Sequence, residues 1–233
     1  MLGLHLAERA DGQPPVIVAL GAHCDDIEIG AGATLLRLAA AHPGLHVVAT
    51  VLTSTPERAD EAQSALAAFL PGATLDLLVC ALRDGRLPDR WDDAKEIVEA
   101  TRRRADEVGG ADLVLAPSTY DAHQDHRLVA ELAPTAFRDQ LILGYEILKW
   151  DGDLGRPNVY VAVDEALARH KSDLLHEHFP SQRGHGWFDR ETFLALLRIR
   201  GVECNERYAE AFSSTKIALS IDSFPLSPLR RVG

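Results

Sequence analysis

The stretch VIVALGAHCDDIEIGAG, residues 16–32, decides how this chain folds. Residues 16–22 are apolar throughout and predict a strand that is buried on both faces. A polar segment with one histidine and two adjacent aspartates follows the strand at once. The sequence GATLLRLAAAH, residues 32–42, then predicts a helix that ends at Pro43. The stretch is therefore a strand–loop–helix unit with its polar residues at the end of the strand.

The same alternation of strand and helix continues along the chain. Further strands are predicted at residues 45–53, 74–82, 111–117, about 141–148 and about 158–163. Helices are predicted at residues 56–69, 91–108, 125–132, about 164–178 and about 190–200. Strands that are apolar on both faces and alternate with helices are typical of a mostly parallel sheet covered on both sides. No linker separates the last third of the chain, so we expect a single domain over residues 1–233.

Composition narrows the range of functions. The 233 residues are 46% hydrophobic and 25% charged, which excludes a disordered chain or a membrane bundle. The net charge of −11 disfavours nucleic acid or an anionic membrane as the main partner. Cys24, Cys80 and Cys204 form no C-x-x-C pair, which favours the reducing cytoplasm over a disulfide framework. We find no signal-peptide pattern or membrane anchor, and a homo-oligomer is left open.

Polar loops rich in histidine and aspartate directly follow the first and fourth predicted strands. In the first loop, His23 and Asp26 are three residues apart, so both side chains can point to one spot, with Asp25 beside it. In the second loop, His123 and His126 have the same spacing at the start of a helix. Ligands of parallel α/β sheets bind beyond the carboxyl ends of the strands. The two loops are therefore expected to form one site.

Two histidines and one carboxylate form the usual three-ligand set of catalytic zinc, which leaves the fourth position for water. His23, Asp26 and His126 supply this set, and Asp25 and His123 remain beside it. A metal hydrolase needs both: a base for the water and a donor for the developing oxyanion. Each loop alone has an ordinary alternative, such as a helix cap. The presence of both loops favours the metal site, although such a ligand set also accepts iron, cobalt or manganese.

These loops resemble the two signature motifs of the PIG-L/LmbE-like zinc deacetylases. AHCDDIEIGAG, residues 22–32, resembles A-H-P-D-D-x-E-x-G-x-G, and DAHQDHR, residues 121–127, contains the family's H-x-D-H. Weaker matches follow in the family's order: Arg58 and Glu61, YEILKW at 145–150, Lys171, Ser181 with Gln182, and YAEAF at 208–212. The family includes the deacetylases of the GlcNAc-phosphatidylinositol, mycothiol and bacillithiol pathways. The resemblance implies an α/β fold, a single-domain Rossmann-like three-layer sandwich with a mostly parallel sheet.

The resemblance also implies residue roles. His23, Asp26 and His126 would bind one Zn²⁺ per chain, Asp25 would be the general base, and His123 would stabilise the oxyanion or act as the acid. Asp125 would orient the ring of a histidine ligand and fix its tautomer without binding the metal itself. Cys24 stands where the family has proline, and we expect it to pack under the loop rather than to bind metal or become oxidised.

Substrate contacts are harder to predict, because each candidate has an ordinary structural alternative. The residues that we place near the same edge of the sheet are Arg58, Asp84, Glu146, Lys149 and Trp150. The histidines at positions 176, 178 and 185 are interpreted as a helix surface and a loop, not as a second metal site. Gly30 and Gly32 do not form a dinucleotide-binding loop, because the third glycine of that fingerprint is missing.

The leading hypothesis is a cytoplasmic zinc-dependent hydrolase that removes the N-acetyl group from an N-acetylglucosaminyl conjugate. Its setting would be the biosynthesis of a small thiol or a secondary metabolite, and its partner a small amino-sugar substrate. The alternatives are a zinc amidase for another acyl group or a non-sugar amine, and a non-catalytic Rossmann module that binds a sugar or nucleotide. The spare acid Asp25 argues against the binding module, which has no need of a second carboxylate beside its ligand.

Overall fold

The computed structural model describes residues 12–218, together with Gly3, Leu6 and Arg9. In this part of the chain, one sheet contains β1 Val16–Gly21, β2 His46–Thr53, β3 Thr74–Leu82, β4 Leu113–Pro117, β5 Leu141–Tyr145, β6 Val159–Val163 and β7 Tyr208–Ser213. The helices are α1 Asp26–Ala41, α2 Pro56–Phe69, α3 Trp91–Glu107, α4 Gln124–Ala136, α5 Glu165–His178 and α6 Arg190–Glu203. Short 3-10 turns cover Leu87–Arg90 and Pro180–Gln182.

The sheet has the strand order β3-β2-β1-β4-β5-β7-β6. The five strands β1 to β5 pair in parallel, whereas β7 pairs antiparallel with both β5 and β6. The predicted α/β fold with a mostly parallel sheet is therefore confirmed. The extension of one domain over all of residues 1–233 stays a prediction.

Alternate residues of β1 enter two separate cores. Ile17 and Ala19 belong to the core that also contains residues of α1 and α2. Val16, Val18 and Leu20 belong to the core that contains residues of α3 and α4. All five side chains are buried. Because successive strand residues point to opposite faces, this alternation produces three layers, with helices on both sides of the sheet.

Helix α1 begins at Asp26, six residues before the predicted start at Gly32. The Asp26 carboxylate accepts hydrogen bonds from the backbone N–H groups of Ala22 (2.9 Å) and His23 (2.8 Å). These bonds turn the chain sharply at the end of β1, so the helix begins almost at once. Most of the predicted loop is therefore the first half of α1, and only 22–25 form the turn.

Glycines inside α1 allow two aromatic rings to pack on its backbone. A Cβ on Gly30 would lie 2.2 Å from the Tyr145 ring, and one on Gly32 would lie 2.5 Å from the Phe69 ring. Both distances are far below a carbon–carbon contact of about 3.5–4.0 Å. The two glycines thus serve the contacts of α1 with β5 and α2.

A buried ion pair also bonds to the interior of α1. Lys171 of α5 donates to the backbone carbonyl of Ile29 (2.6 Å) and to the Glu210 carboxylate of β7 (2.5 Å). Glu210 in turn accepts from the backbone N–H groups of Ala33 (2.8 Å) and Thr34 (2.7 Å). Both charged side chains are almost completely buried. The pair therefore ties the middle of α1 to two elements from the last third of the chain.

Other differences from the prediction include the end of β5, the end of α4 and the whole of β7. Strand β5 ends at Tyr145, three residues before the predicted end at about Leu148. Helix α4 continues past the predicted end at residue 132 to Ala136, with Pro134 in its last turn, although a proline inside a helix is disfavoured. Strand β7 was missed, since it is a short strand held by antiparallel pairing with β5 and β6. Among the described residues, no helix combines the length and apolar character needed to cross a membrane.

Candidate active site

The site lies where β1 and β4 end side by side. The two strands pair in parallel, with Ala19 opposite Leu115, and the chain fills the sheet in opposite directions from this point. In such sheets, the crevice beyond the carboxyl ends of the strands at the reversal point is where ligands bind. The turn after β1 and the loop after β4 meet at this crevice, as the sequence predicted.

The three predicted metal ligands converge on one point. His23 Nδ1 lies 2.9 Å from His126 Nε2, and His126 Nε2 lies 3.3 Å from Asp26 Oδ1. His23 Nδ1 lies 3.5 Å from the other oxygen of Asp26. Two ligands of a tetrahedral zinc ion with bonds of about 2.0–2.2 Å are about 3.3–3.6 Å apart. The donor atoms present therefore fit a zinc-sized cation, with His23 slightly closer to His126 than a bound ion requires.

Asp26 is held as a carboxylate. Burial raises the pKa of Asp26, but the adjacent His126 and His23 outweigh burial and bring this pKa well below its ordinary value. The two backbone N–H donors from Ala22 and His23 also favour the charged form. An anionic ligand is thus available between the two imidazoles.

Asp121 orients His126 and was not predicted. Its Oδ2 lies 2.8 Å from Nδ1 of His126, and its Oδ1 accepts from Lys149 Nζ at 3.0 Å. A carboxylate at Nδ1 holds the ring proton there and leaves the Nε2 lone pair for the metal. Burial lowers the pKa of His126, but Asp26 and Asp121 raise it to about 9, so a cation that binds Nε2 must displace a proton from it. The only signal in the sequence was that Asp121 opens the second motif.

Asp25 lies beside this group and is paired with Arg58. Its Oδ1 is 3.0 Å from Arg58 Nη2, and the side chain is buried. Burial raises the pKa of Asp25, and Arg58 opposes this shift. Arg58 is itself 3.6 Å from Glu61, which accepts hydrogen bonds from the backbone N–H (2.8 Å) and hydroxyl (2.6 Å) of Ser181. This chain of contacts connects the candidate base to helix α2 and to the turn after α5.

His123 completes the ring of imidazoles around the site. Its ring stacks on that of His126, with centroids 4.6 Å apart, and meets His23 edge-on at 4.8 Å. Its Nδ1 accepts from the backbone N–H of Asp125 at 3.2 Å, so the neutral ring carries its proton on Nε2. Burial lowers the pKa of His123, and His126 and His23 lower it further. These three histidines also form a group that could hold a metal ion.

Asp125 and Asp84 lie on the other side of the His23 ring. His23 Nε2 is 3.3 Å from Asp125 Oδ2 and 2.9 Å from Asp84 Oδ1. Asp125 also accepts from the backbone N–H groups of Gly85 (2.7 Å) and Leu87 (3.1 Å). Burial lowers the pKa of His23, but Asp26 and the two hydrogen-bonded aspartates raise it well above its ordinary value. Asp125 thus occupies the position from which its predicted orienting role would act.

The predicted metal ligands His23, Asp26 and His126 line an open cleft. Four of the five predicted substrate contacts line this cleft: Arg58, Asp84, Lys149 and Trp150. The Lys149 ammonium is already engaged by Asp121 and, at 3.3 Å, by Asp153. Glu146 does not line the cleft, because its carboxylate accepts two hydrogen bonds from Arg200 at 2.6 and 2.8 Å. The prediction that Glu146 contacts the substrate is therefore corrected.

Cys24 packs under the loop. Its side chain is buried, its Sγ lies 3.4 Å from the Thr53 carbonyl, and burial raises the pKa of the thiol to about 12. Among the described residues, neither Cys24 nor the histidines at 176, 178 and 185 belong to a group that could hold a metal ion. His178 instead bonds to Ser64 at 2.8 Å, and His185 lines the cleft.

Comparison with known proteins agrees with this arrangement. Residues 18–137, more than half of the chain, match the family model PIG-L, described as GlcNAc-PI de-N-acetylase. The Escherichia coli (strain K12) protein YaiS, described as an uncharacterized deacetylase, is 32% identical over 174 residues, which cover 67% of this chain and 90% of YaiS. The family match and the similarity to YaiS identify an α/β enzyme of the hydrolytic deacetylase type. More specifically, the chain belongs to the PIG-L family.

Solved structures extend the similarity in fold. The N,N'-diacetylchitobiose deacetylase from Pyrococcus horikoshii has a TM-score of 0.65 and 19% identity, over 86% of this chain and 84% of that protein. GalB from Pseudomonas putida KT2440, a 4-carboxy-2-hydroxymuconate hydratase, has a TM-score of 0.65 and 16% identity, over 89% of this chain and 99% of GalB. Since a deacetylase and a hydratase share the fold, the fold alone does not define the reaction.

Proposed function

We propose that this protein is a zinc-dependent deacetylase that hydrolyses the N-acetyl group of an N-acetylglucosaminyl conjugate in the cytoplasm. The observation that carries the proposal is the convergence of His23, Asp26 and His126 on one point, with Asp25 beside them. The family description and the Pyrococcus horikoshii deacetylase both name N-acetylated amino sugars, which supports this substrate class. A pathway to a small thiol or a secondary metabolite is the setting that we favour.

His23 Nδ1, Asp26 and His126 Nε2 would hold the metal ion. A divalent cation bound there supplies a Lewis acid, which polarises the amide carbonyl and lowers the pKa of a water molecule. Asp121 keeps the Nε2 lone pair of His126 directed to the site. Asp26 contributes the negative charge that the two neutral imidazoles lack.

Asp25 takes the proton of the attacking water as the water oxygen bonds to the amide carbon. Arg58 Nη2, 3.0 Å from Asp25 Oδ1, fixes the Asp25 carboxylate and favours its ionised form against the effect of burial. His123, with its proton on Nε2, donates a hydrogen bond to the carbonyl oxygen as negative charge develops there. Such a donor contributes about 10²–10³-fold to the rate.

The C–N bond then breaks, and the leaving nitrogen needs a proton. We assign this proton to the newly protonated Asp25, because a neutral His123 uses its Nε2 proton as the hydrogen-bond donor. The immediate products are acetic acid and an amine, which share the remaining proton of the water as acetate and an ammonium group. One water molecule is therefore consumed for each bond broken. Asp25 returns to its ionised form after each turnover.

Acetate release tests the proposal. The zinc-loaded protein is incubated with free N-acetylglucosamine and with inositol, malate and aminocyclitol conjugates of it. We expect acetate from at least one conjugate, with activity lost on chelation and restored by zinc. Acetate release that survives complete chelation would overturn metal dependence. Zinc binding without acetate from any substrate would instead favour an amidase for another acyl group or a non-sugar amine.

A further inference from the structure

An aromatic wall forms one side of the cleft. It consists of Trp150, His185 and Trp187, which all line the cleft together with the metal-binding residues. Trp150 meets His185 edge-on at 5.7 Å and Trp187 at 6.1 Å, and His185 and Trp187 lie nearly parallel. The three rings therefore form one continuous surface, and none of them is a predicted metal ligand or base.

The wall is anchored in the core. Trp187 packs edge-on against Phe188 at 5.4 Å, and Phe188 contacts Phe193 at 5.1 Å. Phe188 and Phe193 are buried members of the core on the α1 side of the sheet. Such a chain of ring contacts restricts Trp187 and gives the wall a fixed base. A rigid aromatic surface loses little conformational freedom when a ligand binds to it.

Exposure increases from the floor of the cleft to its rim. The His126 side chain at the floor is 2% exposed, whereas Trp150 is 71% exposed. Leaving a tryptophan in water forgoes a large part of the free energy that its burial would contribute. A single exposed ring needs no explanation, but here the ring continues a cluster beside the candidate active site.

We propose that the aromatic wall binds the part of the substrate beyond the reacting amino sugar, and that this part presents a flat apolar ring face. This inference rests on the proposed function, since the floor of the cleft must hold the acetamide. The reacting sugar then lies between the floor and the rim, and its attached group reaches Trp150. A second sugar ring and an aryl group both offer the required face, because both can stack on an indole.

The wall does not suit a compact anionic group. Three carboxylates line the same cleft, those of Asp25, Asp26 and Asp84. The Arg58 guanidinium is paired with Asp25, and the Lys149 ammonium is occupied by Asp121 and Asp153. The faces of the Trp150 and Trp187 rings carry the negative end of the aromatic quadrupole. The rim therefore favours an apolar ring face over a free carboxylate or phosphate.

The test compares three substrates: free N-acetylglucosamine, N,N'-diacetylchitobiose and phenyl N-acetyl-β-glucosaminide. Trp150→Ala is measured against wild type and against Trp91→Ala, a matched control in which an exposed tryptophan on α3 is removed. We expect Trp150→Ala to raise KM for the disaccharide, the phenyl glycoside or both by about 3–10-fold more than it raises KM for the free sugar, with kcat little changed. Trp91→Ala should leave all three reactions unchanged. The substrate that responds identifies the ring as a sugar or an aryl group.

A binding measurement separates this inference from the deacetylase reaction. Titration calorimetry with the deacetylated products, glucosamine and its phenyl and disaccharide forms, needs no turnover. If binding weakens in Trp150→Ala but wild type releases no acetate, the proposed binding role of the aromatic wall is supported and the deacetylase proposal fails. If Trp150→Ala behaves like Trp91→Ala with all three ligands, the wall is overturned even when acetate is released.

Discussion

At the residue scale, two adjacent carboxylates differ because their neighbours differ. Asp26 accepts two backbone hydrogen bonds and lies between two histidines, which holds its pKa well below the ordinary value. Asp25 is buried with one guanidinium, from Arg58, and its pKa is raised. When the surroundings push the pKa values of two carboxyl groups apart, the group with the lower pKa suits a charged ligand and the group with the higher pKa suits a proton acceptor. The pair can therefore divide metal binding and base catalysis between neighbouring positions.

Asp25→Asn should keep the metal and lose activity. The amide has nearly the shape of the carboxylate but cannot accept the proton of water, so we expect kcat to fall by about 10²–10⁴-fold. Zinc content by atomic absorption should stay at the wild-type level. Asp60→Asn, on the exposed surface of α2, is the matched control. Normal turnover in Asp25→Asn would remove Asp25 as the base.

Asp121→Asn should weaken metal binding without removing a ligand. The variant loses the negative charge that makes His126 a stronger ligand, and a loss of about 10–100-fold in affinity is expected. Competition with a chromogenic chelator measures this affinity. Asp153→Asn, which changes another carboxylate on Lys149, should bind zinc as wild type does. Equal affinities for the two variants would contradict the orienting role of Asp121.

Arg58→Met should shift the acid limb of the pH–rate profile to higher pH. Asp25 acts as the base only when ionised, so activity is lost as the pH falls through its pKa. Removing the cation at 3.0 Å raises that pKa further, and the limb moves upward. The pH dependence of kcat measures the shift, and Arg58→Lys should restore much of the wild-type profile. An unchanged limb in Arg58→Met would show that Arg58 does not control Asp25.

At the element scale, α1 begins with Asp26, directly after Asp25, and is fixed from two sides. Its start is set by the Asp26 turn, and its middle by the buried pair of Lys171 and Glu210. Helix α2 adds Arg58, which reaches Asp25 from its first turn. The position of the candidate base therefore depends on contacts with α2, α5 and β7.

Glu210→Gln should destabilise the fold strongly. It leaves the buried Lys171 ammonium without its anionic partner, and removing one member of a buried pair costs about 3–5 kcal/mol. Urea unfolding measures this loss. The double variant Lys171→Met/Glu210→Gln should recover part of it, because no uncompensated charge remains. The control is Glu165→Gln, which removes the exposed partner of Arg169 and should not change the free energy of unfolding. A similar loss in this control would contradict the role of the buried pair.

Prediction of the elements from the sequence succeeded where one pattern dominated. The bounds of β3 and α2 agree with the structure residue by residue, since apolar runs and proline punctuation mark them. The start of α1 was missed because its cause is a side-chain hydrogen bond, which no periodicity reveals. Strand β7 was missed for a similar reason, since its partners lie far away in sequence.

At the scale of the whole molecule, the strand order brings the two motifs together. Each motif supplies only part of the predicted ligand set. The pairing of β1 with β4 places His126 of the second motif beside His23 of the first. The sequence indicated this meeting because both loops follow parallel strands. The sequence could not show that Lys149 lines the cleft whereas Glu146 does not. The path of the chain after β5 is irregular, and Arg200, which binds the Glu146 carboxylate, comes from the distant helix α6.

Zinc should stabilise the folded protein. An ion that binds only the native state adds about 2.7 kcal/mol at a free concentration of 100 times its Kd. For a chain of this size, this corresponds to a rise in Tm of about 5–11 °C. Scanning calorimetry of the chelator-treated and zinc-loaded protein measures the shift. His126→Ala should abolish it, and a full shift in that variant would exclude His126 as a ligand.

The placement of the tryptophans gives the molecule a built-in optical reporter. The chain contains three tryptophans, and two of them, Trp150 and Trp187, line the cleft. Trp91 lies outside the cleft, at the start of α3. Indole emission depends on the polarity and order of its surroundings, so a ligand in the cleft would change the emission of two of the three indoles. In a Trp91→Phe background, the emission spectrum would follow filling and emptying of the cleft in real time, without a label or a coupled assay.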